Sequence, residues 1–262
     1  MNILLSSSIT RSIKESAVLA EELGLGIEIS RFPNFKNITT DFELILKQMK
    51  DEISFFKGYK SLHAMFSDLS PGSRDPEIRE ITEKRHKQSL RAAKEIGANI
   101  VVFHTGNKGM KHKGSQEQFL DASIKFWSRF IKEFEDEGIM AVMENVHERI
   151  PSMITNLIDG VNSPNLKASL DTGHANLFSN YSVDEWIKSY SSRLHHMHIH
   201  NNCGEDDEHN SLLKGTINFD KVFTELKKQQ FNPIIVFEMF EKQNLIESLD
   251  YYKKVNGEKT HV

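Results

Sequence analysis

The stretch RLHHMHIHNNCGEDDEH, residues 193–209, holds five of the chain's twelve histidines beside four carboxylates. Side chains of these types at this density form either a solvated polar loop or the donor set of a divalent cation. A metal site draws its ligands from several elements, so the rest of the chain decides between the two. On an extended strand, residues two apart share a face. Leu194, His196, His198 and His200 then share one face, and His195, Met197 and Ile199 share the other. If Met197 and Ile199 pack against helices, the histidine face points inward.

Other apolar runs end the same way. NIVVF runs into His104, IMAVM into Glu144, LKASL into Asp171 and PIIVF into Glu238, while Ser61 and Leu62 lead to His63. A charge closing a buried strand is costly without a partner. Groups from so many separate places make more sense if they converge in one cavity. Glu144, Asp171, His198 and Glu238 form the core set. Three carboxylates and one imidazole suit Mn²⁺, Mg²⁺, Co²⁺ or Zn²⁺, with positions left for substrate oxygens. Each carboxylate taken alone also fits a salt bridge to Arg or Lys, a reading that weakens for the set together.

His63, His104, His174, Asp207 and His209 form a second set. They read as further ligands of a histidine-favouring metal such as Zn²⁺, as substrate contacts, or as groups that orient the core set. Asp171 and His174 in LDTGHAN leave a strand and enter a turn, so both can face one cavity. Glu28, near the end of GIEIS, reads as a contact to a substrate hydroxyl or as a lysine's partner. Phe66 and Phe178 follow strand ends and can wall a pocket, whereas Trp127 belongs to helix packing. His86, His112, His147, His195 and His261 read as surface or packing residues. Lys108, Lys111 and Lys113 make a basic loop after the fourth strand. No phosphate-cradling glycine motif and no GxSxG elbow occurs, and the single cysteine, Cys203, belongs to no Cys/His catalytic pattern.

The elements that must position these groups alternate along the whole length. Strand-like runs lie at 2–7, 26–30, 61–66, 99–104, 139–145, 166–171, 193–200 and 233–238. Between them come segments with helical spacing, among them 12–24, 42–56, 75–97, 116–138 and 219–230. Gly24, Gly97 and Gly138 punctuate helix ends just before the next strand. About eight strand–helix alternations without a long insertion predict an α/β fold. Specifically, they predict one (β/α)₈ TIM barrel over residues 1–262, with the active site at the C-terminal ends of the strands.

Composition bounds the rest. The 262 residues are 38% hydrophobic with a formal charge of −4, ample for a core and a weak argument against a generic nucleic-acid binder, which a local basic patch could override. No run of about 18 apolar residues suits a membrane span, and the N-terminus does not read as a signal peptide. A lone cysteine rules out an internal disulfide framework and fits a reducing compartment. A cytoplasmic, single-domain protein is expected, and nothing opposes a homo-oligomer.

The series HAMF (63–66), VVFHTG (101–106), MENV (143–146), LDTGHANL (170–177), HIHNN (198–202), DEHNSLLKG (207–215) and FE (237–238) resembles the xylose-isomerase-like TIM-barrel superfamily. That group includes sugar phosphate isomerase/epimerase proteins and the endonuclease IV family. In the ketose epimerase branch, the resemblance implies that Glu144, Asp171, His198 and Glu238 bind one metal. It also implies that Glu144 and Glu238 act as the acid/base pair and that His174 contacts substrate. In the nuclease branch, it implies zinc ligation by His63, His104, Glu144, Asp171, His174, His198, Asp207, His209 and Glu238. GIEIS looks like the isomerase branch. Gly204, however, stands where ketose 3-epimerases carry an arginine, and HNN stands where relatives more often have HDN.

The expected activity is that of a divalent-metal-dependent sugar or sugar phosphate isomerase/epimerase. It works by proton transfer through an enediolate between two glutamates, with a cation offsetting the developing charge. The alternatives are a zinc-dependent apurinic-site phosphodiesterase and a metal-dependent polyol dehydratase.

Overall fold

Eight parallel strands close on themselves in chain order, each paired with its neighbours and the last with the first. The structure, a computed structural model, describes residues 3–30, 38–108 and 112–257. The strands are β1 (Ile3–Ser6), β2 (Gly26–Ile29), β3 (Lys60–His63), β4 (Ile100–His104), β5 (Met140–Glu144), β6 (Leu166–Asp171), β7 (Leu194–Ile199) and β8 (Ile234–Phe237). The helices are α1 (Ile13–Leu23), α2 (Phe42–Ile53), α3 (Pro76–Ile96), α4 (Lys113–Glu137), α5 (Ser152–Val161), α6 (Thr172–Phe178), α7 (Val183–Tyr190), α8 (Phe219–Lys228) and α9 (Lys242–Asn256). The expected (β/α)₈ barrel is therefore what the chain forms. Closure is made by β1, where Leu5 lies opposite Ile27 on one side and Phe237 on the other.

Alternation along each strand sorts side chains into two compartments. Leu5, Ile27, Leu62, Phe103, Met143, Leu170, Met197 and Phe237 face the helices and join the large outer core. Leu4, Ile100, Val102, Val142, Ile234 and Val236 fill the lower interior of the barrel as a separate apolar cluster. Above them the interior turns polar, with Ser6, Glu28, Ser61, Ser169, His196 and His198 all fully buried. Apolar contacts close the bottom, and the chemistry-bearing residues stand at the strands' C-terminal ends.

Strict alternation fails at one place. Ala168 pairs with Leu194, but its neighbour Ser169 pairs with His196, so β7 carries one extra residue against β6. This β-bulge turns Leu194 toward the outer core rather than inward with the histidines. His196 and His198 keep the inward orientation. Helix α6 is a second correction, because Asp171 and His174 enter a helix rather than a turn, with the Asp171 carboxylate accepting the His174 N–H at 2.7 Å as its N-cap. The helices ending at Gly24, Gly97 and Gly138 each close in left-handed backbone.

Candidate metal centre

The C-terminal ends of β5, β6, β7 and β8 each deliver one donor to the same cavity. Nδ1 of His198 lies 2.8 Å from Glu144 Oε1, 3.7 Å from Asp171 Oδ2 and 3.5 Å from Glu238 Oε2. One ligand atom from each of Glu144, Asp171, His198 and Glu238 falls within 4.8 Å of the other three. Three of the four are buried, and Glu238 retains 13% side-chain exposure at the mouth. The chemistry of the donors fits a divalent cation. Three carboxylates facing one imidazole leave excess negative charge among mostly buried groups, which a divalent cation would offset. The core set read from the sequence is thus brought together.

The second set surrounds the first. Oε2 of Glu144 meets Nε2 of His63 at 3.2 Å and Nε2 of His104 at 3.1 Å. These three form a donor group of their own. On the other side, Asp207 Oδ2 is 3.4 Å from His174 Nε2 and 3.0 Å from His209 Nε2. His209 Nδ1 is anchored by the Glu238 carbonyl at 2.7 Å. All nine residues singled out in the sequence line one connected cluster.

The electrostatics follow from that packing. Burial pushes the Glu144 carboxyl up, but the charges of His198 and His104 win and hold it well below the usual carboxylate range. Burial likewise opposes the charged form of His174, yet Asp171, Asp207 and Glu144 raise it to about 10. His209 is raised to about 9 against its own burial, chiefly by Asp207 and Glu238. In the absence of a cation, imidazolium and carboxylate neutralise each other here.

Several members were not singled out as site residues. His200 is fully buried, with Nε2 3.2 Å from Asp171 Oδ1 and its ring stacked 3.9 Å from that of His209. It also forms a donor group with His209 and Glu238. Its place demands a glycine opposite, since a Cβ on Gly173 would lie 1.9 Å from the ring. The glycine in LDTGHAN was the signal for that close approach. Asn145 locks β5 to β6 by exchanging hydrogen bonds with the Asp171 backbone, giving its amide N–H to the Asp171 carbonyl at 3.0 Å and accepting the Asp171 N–H at 2.8 Å. Glu28 does not reach the mouth, and among the described residues it pairs with no lysine. It is fully buried beneath the centre.

Exposed aromatic rings rim the opening. Phe66 stacks on His104 at 4.3 Å, Phe240 lies over His209 at 4.1 Å, and Phe178 meets His147 edge-on at 4.8 Å. Phe66 and Phe178 thus stand where a pocket wall was expected, and Trp127 is fully buried among helix rings. The basic loop is only partly a loop. Lys113 opens α4 and lines a cavity of about 360 Å³ with His147 and Arg149, while Lys108 pairs with Asp68 at 3.2 Å. Lys111 and His261 lie outside the described residues. His112 precedes α4, and His86 is a buried packing residue.

A barrel of this topology with this cluster defines a class, and the comparisons agree. The chain belongs to the xylose isomerase-like TIM barrel family, whose profile matches residues 14–255. Among curated relatives, an uncharacterised protein of Methanocaldococcus jannaschii is 29% identical over 243 residues, covering 92% of this chain and 90% of its own. Among solved structures, a D-tagatose 3-epimerase-like protein superposes with a TM-score of 0.79 at 26% identity, over 98% of this chain and 97% of that one. A Thermus thermophilus protein soaked with zinc chloride gives a TM-score of 0.81 at 22% identity, with both chains fully covered, and shares the fold. No described helix is long and apolar enough to cross a membrane.

Proposed function

We propose that this protein is a divalent-metal-dependent sugar isomerase or epimerase, acting on a free or phosphorylated sugar. The convergence of Glu144, Asp171, His198 and Glu238 within 4.8 Å carries the reading. Similarity to a D-tagatose 3-epimerase-like protein supports it. The four residues would hold Mn²⁺, Co²⁺, Mg²⁺ or Zn²⁺. A bound cation lowers the cost of removing a proton beside a carbonyl by offsetting the charge that develops on oxygen. Glu144 and Glu238, from β5 and the end of β8, flank the space above His198. One carboxylate oxygen takes the proton from carbon and the other returns it, on the opposite face for epimerisation. His174 contacts a substrate hydroxyl, and Phe66, Phe178 and Phe240 keep the opening apolar and restrict water.

Metal content per chain, followed by a ketose isomerisation and epimerisation screen, tests the reading. About one bound ion with turnover lost in both Glu144→Gln and Glu238→Gln, each folded as judged by circular dichroism, is the expected result. Full activity in either variant overturns the two-carboxylate mechanism.

The groups His63–His104–Glu144 and His200–His209–Glu238 favour one second reading, a zinc-dependent phosphodiesterase acting on abasic DNA. About three zinc ions per chain and cleavage of an abasic duplex would establish it instead.

A further inference from the structure

Below the cluster, Glu28 is fully buried and, among the described residues, has no Lys or Arg partner. Its Oε1 lies 2.6 Å from Nε2 of His198, while Oε2 accepts from the Ser61 hydroxyl at 2.8 Å. Nε2 of His196 stands 3.2 Å from Oε2, poorly aligned for a hydrogen bond, and the Nδ1 of that ring pairs with the Ser169 hydroxyl at 2.8 Å. The N···O separation between Glu28 and His198 is that of a short, charge-assisted hydrogen bond.

A carboxylate oxygen can only accept, so His198 must place a proton on Nε2. Without a metal, Nδ1 also faces a carboxylate oxygen, Glu144 Oε1 at 2.8 Å, and shares a proton with it; a cation that displaced this proton would find the Nδ1 lone pair aimed at the space between Glu144, Asp171 and Glu238. Ser61 and the walls of the barrel fix Glu28 in turn. We propose that Glu28 is a positioning residue, which selects the tautomer of His198 that presents Nδ1 to a metal and holds that ring in the plane of the site. This rests on the metal-dependent reading above and adds a residue that touches neither metal nor substrate. The arrangement is a carboxylate–histidine–metal unit, in which the outer carboxylate orients the ligand and raises its basicity.

Two measurements on the full chain test it. Protein labelled with ¹⁵N-histidine and loaded with Zn²⁺ should show His198 protonated at Nε2 and unprotonated at Nδ1. The opposite tautomer overturns the inference without any variant having to fold. Co²⁺ titration, read by calorimetry and by the visible spectrum of the bound ion, then compares wild type with Glu28→Gln. Loss of the charge should weaken Co²⁺ binding about 10- to 100-fold and alter the spectrum, with Glu28→Asp falling between. Equal affinity and an unchanged spectrum in Glu28→Gln overturn the positioning role while leaving the metal reading intact. A wild-type chain that binds no Co²⁺ or Zn²⁺ removes both.

Discussion

His86 lies in α3 against the rings of Phe103, Phe126, Trp127 and Phe130, at centroid distances of 4.6 to 6.0 Å, whereas His198 stands among carboxylates. Both are buried, yet their surroundings drive them in opposite directions. Among the described residues, neither ring nitrogen of His86 has a hydrogen-bond partner, and burial lowers its pKa to about 3. His198 is raised well above its ordinary value: burial would lower it, but Glu28, Glu238 and Glu144 outweigh that cost. Among rings, an imidazole serves as a flat neutral filler. Among acids, it becomes the counter-charge that lets several carboxylates share a dry cavity.

The largest test of that contrast removes His198. In the metal-free protein, His198→Leu leaves Glu28 and Glu144 buried without their main partner and should cost about 3–5 kcal/mol in urea denaturation at pH 7. A loss below about 1 kcal/mol would mean that the acids are not held by this imidazole. A third buried histidine separates shape from charge. Gly173→Ala drives a methyl into the His200 ring without altering any charge, and should cost about 1–3 kcal/mol with a matching fall in Tm. An unchanged Tm would show that His200 can move freely.

The smallest effect is expected at His86, and it depends on pH. Above about pH 6.5, both the folded and unfolded forms are neutral there. Below that, the unfolded chain takes up a proton that the folded chain refuses until about pH 3. Stability is therefore lost as pH falls through this window, by about 1.4 kcal/mol per unit. His86→Leu should remove this slope, gaining about 2 kcal/mol on wild type between pH 7 and pH 5. Parallel stability curves for the two proteins over that range would show that His86 already accepts a proton when folded.

The strand–helix rhythm and the two-residue alternation made the barrel and the donors at its mouth readable from the chain, because both are local patterns. Glu144, Asp171 and Glu238 each close an apolar run, and a charge in that place has few uses. What pairs with what across the barrel was not legible. Glu28 looked like a residue of the mouth because its distance from the rim depends on strand stagger, which one strand does not reveal. Leu194 was misplaced because a bulge adds one residue without any mark in the local sequence. Asp171 as a helix cap, and His200 lying over Gly173, likewise required the spatial neighbours.

Glu28 and His198 are 170 residues apart along the chain, and β1 waits for β8 to complete the ring. A chain emerging in order thus leaves Glu28 in water early, and its carboxylate loses that water only as β7 brings the imidazole that replaces it. Contacts of such long range are slow to form, so partly assembled barrels should persist and show unsealed strand edges. A ligand that touches both Glu144 and Glu238 would bridge β5 and β8, and so favour molecules in which these two strands already face one another.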